Sequence, residues 1–87
     1  NVLYTDVWVS MGMEDEAAKR EGAFNDYQIN DRIISLADPN AMVMHCLPAY
    51  RDKEISESTF EAHAETIFSQ AENRLHAQKA IMKNLAT

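Results

Sequence analysis

The sequence predicts an α/β fold: a portion of a parallel, doubly wound sheet of about three strands, flanked by helices and ending in a long C-terminal helix. Two observations carry this prediction. Short runs rich in β-branched residues alternate with stretches of helical spacing, and these runs are nearly continuous in apolarity, as strands buried on both faces are. With 87 residues, the chain has room for one domain.

The first strand is predicted over Val2–Val9, where branched and aromatic side chains follow one another with an interruption at Asp6. Ser10-Met11-Gly12 then forms a turn, because glycine supplies backbone freedom. A helix is predicted from about Glu14 to Asn25, since its first turn is acidic and its basic residues come later, as the helix macrodipole favours.

A second helix is predicted through Arg32 to Ala37, with Asp26 or Asn30 as its N-cap. The turn residues Asp38-Pro39-Asn40 close it. The second strand is predicted over Ala41–His45.

Three elements complete the predicted order. Pro48 ends the second strand, and Ser56 caps a short helix that runs to His63. A brief third strand is predicted over Thr66–Phe68, and a final helix starts at Ser69 or Gln70. That helix reaches about Leu85 and carries one apolar stripe at helical spacing, which includes Ala71, Leu75, Ala77, Ile81 and Met82.

Composition excludes several classes of protein. A net charge of −6 argues against a nucleic-acid binder, which needs a basic surface. No apolar run approaches the ~18 residues of a membrane-spanning helix, so we expect no membrane partner. The single cysteine excludes an intrachain disulfide framework and a cysteine-rich zinc module.

The chain begins at Asn1 rather than at a methionine and enters an apolar run at once. One interpretation is a mature product whose end was trimmed. The other is a piece of a longer chain, cut inside a sheet.

Polar clusters follow each of the three predicted strands. They are Ser10-Met11-Gly12, His45-Cys46-Leu47-Pro48 and Gln70-Ala71-Glu72-Asn73-Arg74. Ligands of open α/β sheets bind at the carboxyl ends of the strands. We therefore expect a ligand site where these clusters meet.

Each candidate residue has two interpretations. Cys46 is a small buried hydrophobe, or a partly ionised thiol that touches a substrate. Asp6 accepts backbone amides, or it receives a substrate cation. Arg74, near the predicted start of the last helix, pairs with Glu72 or a neighbouring acid, or it holds an anion. The histidines and Cys46 lack a recognised metal-ligand spacing, so no metal site is predicted.

The motifs together resemble those of ornithine carbamoyltransferase. They are Asp6-Val7-Trp8-Val9-Ser10-Met11-Gly12, His45-Cys46-Leu47-Pro48, and the segment from Ala71-Glu72-Asn73-Arg74 to Ala80, in the order and spacing of the family. The resemblance covers essentially all 87 residues. It implies the C-terminal part of the ornithine-binding domain, without the carbamoyl phosphate domain and its Ser-x-Arg-Thr-Arg segment.

The resemblance implies a cytoplasmic enzyme of arginine metabolism, a homotrimer or a multiple of trimers, which uses no cofactor. It would transfer a carbamoyl group from carbamoyl phosphate to the δ-amine of L-ornithine. By resemblance, Asp6, Ser10 and Met11 bind ornithine, and Cys46 lies at the reacting amine as the catalytic residue. Cys46 and Leu47, through their backbone, and Arg74 contact carbamoyl phosphate.

Two departures from the family pattern follow the second motif. Tyr50 stands where a second histidine is usual, and Asp52 stands where a glycine is common. They keep open a related carbamoyltransferase for putrescine or a modified ornithine. A non-catalytic binding or assembly module that reuses the fold is the further alternative.

Overall fold

The computed structural model describes residues 1–10 and 12–86. Strands β1 (Val2–Thr5) and β2 (Met42–His45) form a parallel two-stranded sheet. Val2 lies opposite Met42 and Thr5 opposite His45. The α/β class, the parallel sheet and the long C-terminal helix are thereby confirmed.

Helices flank this sheet in the order that the sequence predicted. Between the strands, a 3₁₀ turn (Glu14–Glu16) leads into α1 (Ala17–Phe24), which is followed by α2 (Asp31–Leu36). After β2 come α3 (Glu57–Ala62) and α4 (Ala64–Ala86).

Strand β1 is shorter than the predicted Val2–Val9. The Thr5 hydroxyl donates to the Asp6 carbonyl at 3.1 Å, and Asp6 Oδ1 accepts from the Val7 amide at 2.6 Å. Such local bonds compete with the strand ladder and end it. Burial on both faces is also wrong for the described residues, because β1 alternates between exposed and partly buried side chains.

The predicted third strand at Thr66–Phe68 is wrong, because these residues lie in the first two turns of α4. The Ile67 amide donates to the His63 carbonyl at 3.1 Å, a helical bond. Only Ile67 of the three is buried, which suits one face of a helix. Three apolar residues are too few to distinguish a strand from a helix by periodicity.

The core forms where α3 and α4 pack on β2. Its buried members are Val43, Ile55, Phe60 and Ile67, of which all but Phe60 are fully buried. Partly buried side chains from β1, α2 and the segments beside them surround this cluster, namely Leu3, Ile29, Ile34, Leu47 and Ala49. The core thus ties β2 to the helices that follow it.

Two predicted helix caps are confirmed. Asn30 Oδ1 accepts from the Ile33 amide at 3.1 Å, and Ser56 Oγ accepts from the Thr59 amide at 3.3 Å. Each bond satisfies one of the amides that the first turn of a helix leaves without a partner.

Beside the core, His45 and Glu54 form a fully buried polar pair. His45 Nε2 and Glu54 Oε1 are 2.7 Å apart, and both side chains are 0% exposed. His45 Nδ1 accepts from the Leu47 amide at 2.7 Å, so the proton of the neutral ring lies on Nε2 and points at Glu54. Glu54 Oε1 also accepts from the Tyr50 amide at 2.9 Å. The buried pair therefore holds the turn after β2 by accepting hydrogen bonds from its backbone amides.

Asp52 adopts a left-handed backbone conformation with φ at 65°. Its side chain accepts from the Glu57 amide at 2.9 Å. Among residues with a Cβ, aspartate tolerates this conformation well. The geometry explains how Asp52 can occupy a position where glycine is common.

We expect Glu54→Ala to destabilise the protein by about 3 kcal/mol, because the buried His45 ring and the Tyr50 backbone amide both lose their acceptor. Glu54→Gln keeps an acceptor oxygen and should cost about 1 kcal/mol. Urea denaturation measures both free energies of unfolding. Glu57→Ala is the exposed control and should stay within about 1 kcal/mol of the parent. Equal losses in the Ala and Gln variants would contradict the assigned hydrogen bonds.

At Asp52 we expect a β-branched residue to be strained. Asp52→Val should destabilise by about 2 kcal/mol more than Asp52→Gly, because both lose the bond to Glu57 and only valine resists a positive φ. Thermal and urea melts of the two variants measure the difference. Lys53→Val, at the next residue of the same exposed turn, should cost no more than about 0.5 kcal/mol.

Candidate functional site

The two strands end side by side and bring Asp6 and Cys46 together. Thr5 and His45 are register partners, so the residues that follow them leave the sheet at the same edge. Cys46 Sγ donates to Asp6 Oδ1 at 3.1 Å. Asp6, which precedes the first polar cluster, and Cys46 of the second cluster therefore meet at this edge of the sheet.

Asp6 is an exposed carboxylate held in its charged form. The hydrogen bond from the Cys46 thiol is the main cause that lowers the pKa of Asp6, and the bond from the Val7 amide adds to it. The carboxylate thus accepts a backbone amide and also faces solvent. Both interpretations of Asp6 remain compatible with this geometry.

Cys46 is held as a neutral thiol. Burial raises the pKa of the Cys46 thiol, and the hydrogen bond to Asp6 and its negative charge raise it further. The positive charge of Arg74 acts in the opposite direction but is a smaller cause. The expectation of a partly ionised thiol is wrong, because a carboxylate lies closer to Cys46 than any cation that could stabilise a thiolate.

A cavity of about 160 Å³ adjoins this pair. Its wall combines the loop after β1 with the turn after β2, and its lining residues are Asp6, Val7, Val9, Ser10, Leu47, Pro48 and Tyr50. Three of the residues that the sequence singled out therefore share one cavity. Met11, the fourth residue of interest in these loops, lies outside the described residues.

Leu47 presents a constrained backbone to this cavity. Its φ is 59°, in the left-handed region, and a cis peptide bond joins it to Pro48. Because the Leu47 amide donates to His45 Nδ1, that amide is not free for a ligand. Within residues 1–10 and 12–86, nothing donates to the Leu47 carbonyl. The group that Leu47 can offer is therefore an acceptor.

Arg74 lies well inside α4, which begins at Ala64. The predicted position near a helix start is wrong because the third strand was really the beginning of this helix. Glu72 Oε1 contacts His76 Nε2 at 3.3 Å instead of Arg74. No residue in the described part of the chain forms a hydrogen bond or ion pair with the Arg74 guanidinium. This cation is available to an anion.

Two residues position these loops through contacts that the sequence did not predict, although Gln70 belongs to the third polar cluster. Gln70 bonds to the backbone of His45 and the hydroxyl of Tyr4, both at 3.0 Å. Arg20 Nη1 donates to the Trp8 carbonyl at 3.3 Å and holds the loop after β1. Both contacts join segments distant in the sequence, so residue spacing does not indicate them.

Tyr50, which departs from the family pattern, also lies at the site. It lines the 160 Å³ cavity and a neighbouring cavity of about 140 Å³ on the other side of Val9. The second cavity is bordered by Trp8 and by Glu54. The side chain of Tyr50 thus contributes to the shape of the candidate site.

Neither a metal centre nor a membrane span is found among residues 1–10 and 12–86. These residues contain no group of three His, Cys, Asp or Glu side chains that could hold a metal ion. No helix formed by them has the length and apolarity needed to cross a membrane.

Two known proteins similar to this chain carry the same name. Ornithine carbamoyltransferase of Thermosynechococcus vestitus is 55% identical over 85 residues, which is 98% of this chain and 27% of that protein. Ornithine carbamoyltransferase of Campylobacter fetus is 60% identical over 82 residues, or 94% of this chain and 26% of that protein. The chain therefore spans about a quarter of the length of the curated relatives it matches.

Solved structures give the same result. The anabolic ornithine carbamoyltransferase of Campylobacter jejuni superposes with a TM-score of 0.92 at 45% identity, covering 98% of this chain and 28% of that one. The ornithine carbamoyltransferase of Pyrococcus furiosus gives a TM-score of 0.79 at 47% identity, covering 93% and 26%. Residues 1–85 match the family described as "Aspartate/ornithine carbamoyltransferase, Asp/Orn binding domain". The chain belongs to the aspartate/ornithine carbamoyltransferase family.

Proposed function

We propose that this chain is the C-terminal segment of the ornithine-binding domain of an ornithine carbamoyltransferase. The whole enzyme would transfer the carbamoyl group of carbamoyl phosphate to the δ-amine of L-ornithine, giving L-citrulline and phosphate. We further propose that it is a cytoplasmic homotrimer, or a multiple of trimers, of arginine biosynthesis. The observation that carries the proposal is the contact of Asp6 with Cys46 at the strand ends, in a chain whose relatives bear this enzyme's name.

Asp6 would receive the α-ammonium group of ornithine. Its carboxylate is charged, exposed and part of the cavity wall, so an ammonium can add a charge-assisted hydrogen bond without displacing a buried partner. Ser10 borders the same cavity and offers a hydroxyl. Met11 would complete this end of the site.

Cys46 would orient the δ-amine and would not remove its proton. A neutral thiol that donates to Asp6 leaves sulfur lone pairs to face an N–H of the amine. The neutral amine attacks the carbamoyl carbon, the bond from that carbon to the phosphate oxygen breaks, and the amine proton leaves with the phosphate. No covalent bond to Cys46 is required.

Arg74 and Leu47 would hold carbamoyl phosphate. A guanidinium suits the phosphate and the carbonyl oxygen on which negative charge develops. The Leu47 carbonyl is an acceptor and therefore suits the amide N–H of the carbamoyl group. The two residues would recognise opposite sides of the same substrate.

The segment proposal is supported by the apolar surface of α4. Residues 71–86 are all exposed, and they include Leu75, Ile81, Met82 and Leu85 at 57–82% exposure. A contiguous apolar face of this kind marks a contact surface. We therefore expect the 87 residues alone to produce no measurable citrulline.

A related amine substrate is the second candidate, and Tyr50 is the observation that favours it. Its ring borders the cavity of Asp6 and Ser10 at the position where histidine is usual. Putrescine lacks the carboxylate of ornithine, so a different shape of this wall would matter for it. Comparison of the two amines distinguishes the candidates.

The test replaces the matching segment of the Campylobacter fetus relative with this chain. We expect the chimera to form citrulline from ornithine. Asp6→Asn should raise the KM for ornithine by about 10- to 100-fold, the worth of one charge-assisted hydrogen bond. Arg74→Gln should raise the KM for carbamoyl phosphate by a similar factor. Asp38→Asn, at an exposed turn, is the control. Faster carbamoylation of putrescine than of ornithine would overturn the substrate assignment.

The protonated state of Cys46 gives a separate expectation. The negative charge of Asp6 and its hydrogen bond with Cys46 both raise the pKa of the thiol. Asp6→Asn removes the charge and alters the bond. The pKa of Cys46 should therefore fall, and the thiolate fraction at a given pH should rise. The Cys46 peptide should then be alkylated by iodoacetamide faster at pH 8 than in the parent chimera, as mass spectrometry can measure. An unchanged rate, matching that of Asp38→Asn, would contradict the proposed coupling.

A further inference from the structure

Gln70 connects helix α4 to both strands of the sheet. Its Oε1 accepts from the backbone amide of His45 at 3.0 Å, and its Nε2 donates to the Tyr4 hydroxyl at 3.0 Å. His45 is the last residue of β2, and Tyr4 lies in β1. The Gln70 side chain therefore fixes the position of α4 relative to the ends of the two strands.

Hydrogen bonding determines the orientation of this amide group. A backbone N–H only donates, so the atom that faces His45 must be the oxygen of Gln70. The nitrogen then faces Tyr4, whose hydroxyl can accept. Because both ends of the amide are engaged, rotation of the side chain breaks at least one bond.

Gln70 bonds α4 to the sheet one turn after the helix contributes to the core. Ile67, one turn earlier, is fully buried in the core, and Gln70 is partly buried. Every residue from 71 to 86 is exposed. The position of the next turn of the helix relative to the sheet therefore depends on Gln70 and the core below it.

Arg74 lies in that next turn. Residues four apart stand on the same face of a helix, about 6 Å apart along its axis. Gln70 holds His45 while Arg74 acts electrostatically on Cys46, the adjacent residue. Two residues on one face of α4 thus act on consecutive residues of the chain that leaves β2.

We propose that Gln70 is a positioning residue for carbamoyl phosphate, which sets Arg74 against the Cys46–Leu47 backbone through its two hydrogen bonds. The inference rests on the function proposed above. Gln70 does not itself touch the substrate. It acts on the anionic substrate alone, because Asp6 and Ser10 are held by other contacts.

The test measures steady-state kinetics of the chimera with Gln70→Leu, which keeps the size of the side chain and removes both bonds. The KM for carbamoyl phosphate should rise about tenfold, the equivalent of one lost hydrogen bond. The KM for ornithine should change by less than about twofold. Gln78→Leu makes the same substitution at an exposed position of the same helix and should change neither KM.

A double-mutant cycle separates positioning from general stability. If Gln70 acts through Arg74, adding Gln70→Leu to Arg74→Gln should raise the KM for carbamoyl phosphate by less than about twofold. A residue that only stabilises the fold would add its full effect. Tyr4→Phe removes a single bond at an exposed ring and should raise this KM by about threefold, which tests the same contact if Gln70→Leu does not fold.

Three outcomes would overturn the inference while the proposed function stands. They are an unchanged KM for carbamoyl phosphate, an equal rise in both KM values, and full additivity with Arg74→Gln in a chimera that forms citrulline. A parent chimera that forms no citrulline contradicts the proposed function itself, and the inference falls with it.

Discussion

The buried pair of His45 and Glu54 is the interaction on which the candidate site depends. Both groups are withdrawn from water, and such burial is costly unless hydrogen bonds compensate the lost hydration. Glu54 Oε1 has two donors, from His45 and Tyr50, whereas Oε2 has no partner in the part of the chain that the structure describes. Breaking the bond to His45 would leave a buried donor unsatisfied. The turn after β2 is therefore held in one conformation.

The fixed conformation of the turn after β2 determines which groups of Cys46 and Leu47 are available at the candidate site. The ring of His45 takes up the Leu47 amide, which leaves the carbonyl as the ligand-facing group of that residue. The backbone amide of His45 donates to Gln70, and this bond holds α4 against the end of β2. Cys46 lies between these two contacts and beside Asp6. Through its hydrogen bonds, His45 at the end of β2 thus connects the strand, the following turn and the final helix.

The sequence predicted the elements whose signals are local. The caps at Asn30 and Ser56 and the end of β2 before Pro48 all depend on neighbouring residues. The misassigned third strand had consequences beyond secondary structure, because it placed Arg74 at a helix start. The partnership of His45 with Glu54 and the bonds of Gln70 connect distant segments, and only the folded chain reveals them. Likewise, the raised pKa of the Cys46 thiol follows from its burial in the folded chain and from a carboxylate forty residues away.

The two strand ends divide the chemistry by charge. The end of β1 offers the carboxylate of Asp6, which suits a cation. Helix α4 offers the guanidinium of Arg74, which has no hydrogen-bond or ion-pair partner among the described residues and suits an anion. Cys46 lies between them and responds to both, since Asp6 raises its pKa and Arg74 lowers it. A cation that neutralised Asp6 would weaken the first effect, and an anion on Arg74 would weaken the second. The pKa of this thiol is therefore raised by burial and by Asp6 and lowered by Arg74, so it depends on the charges of both neighbouring groups.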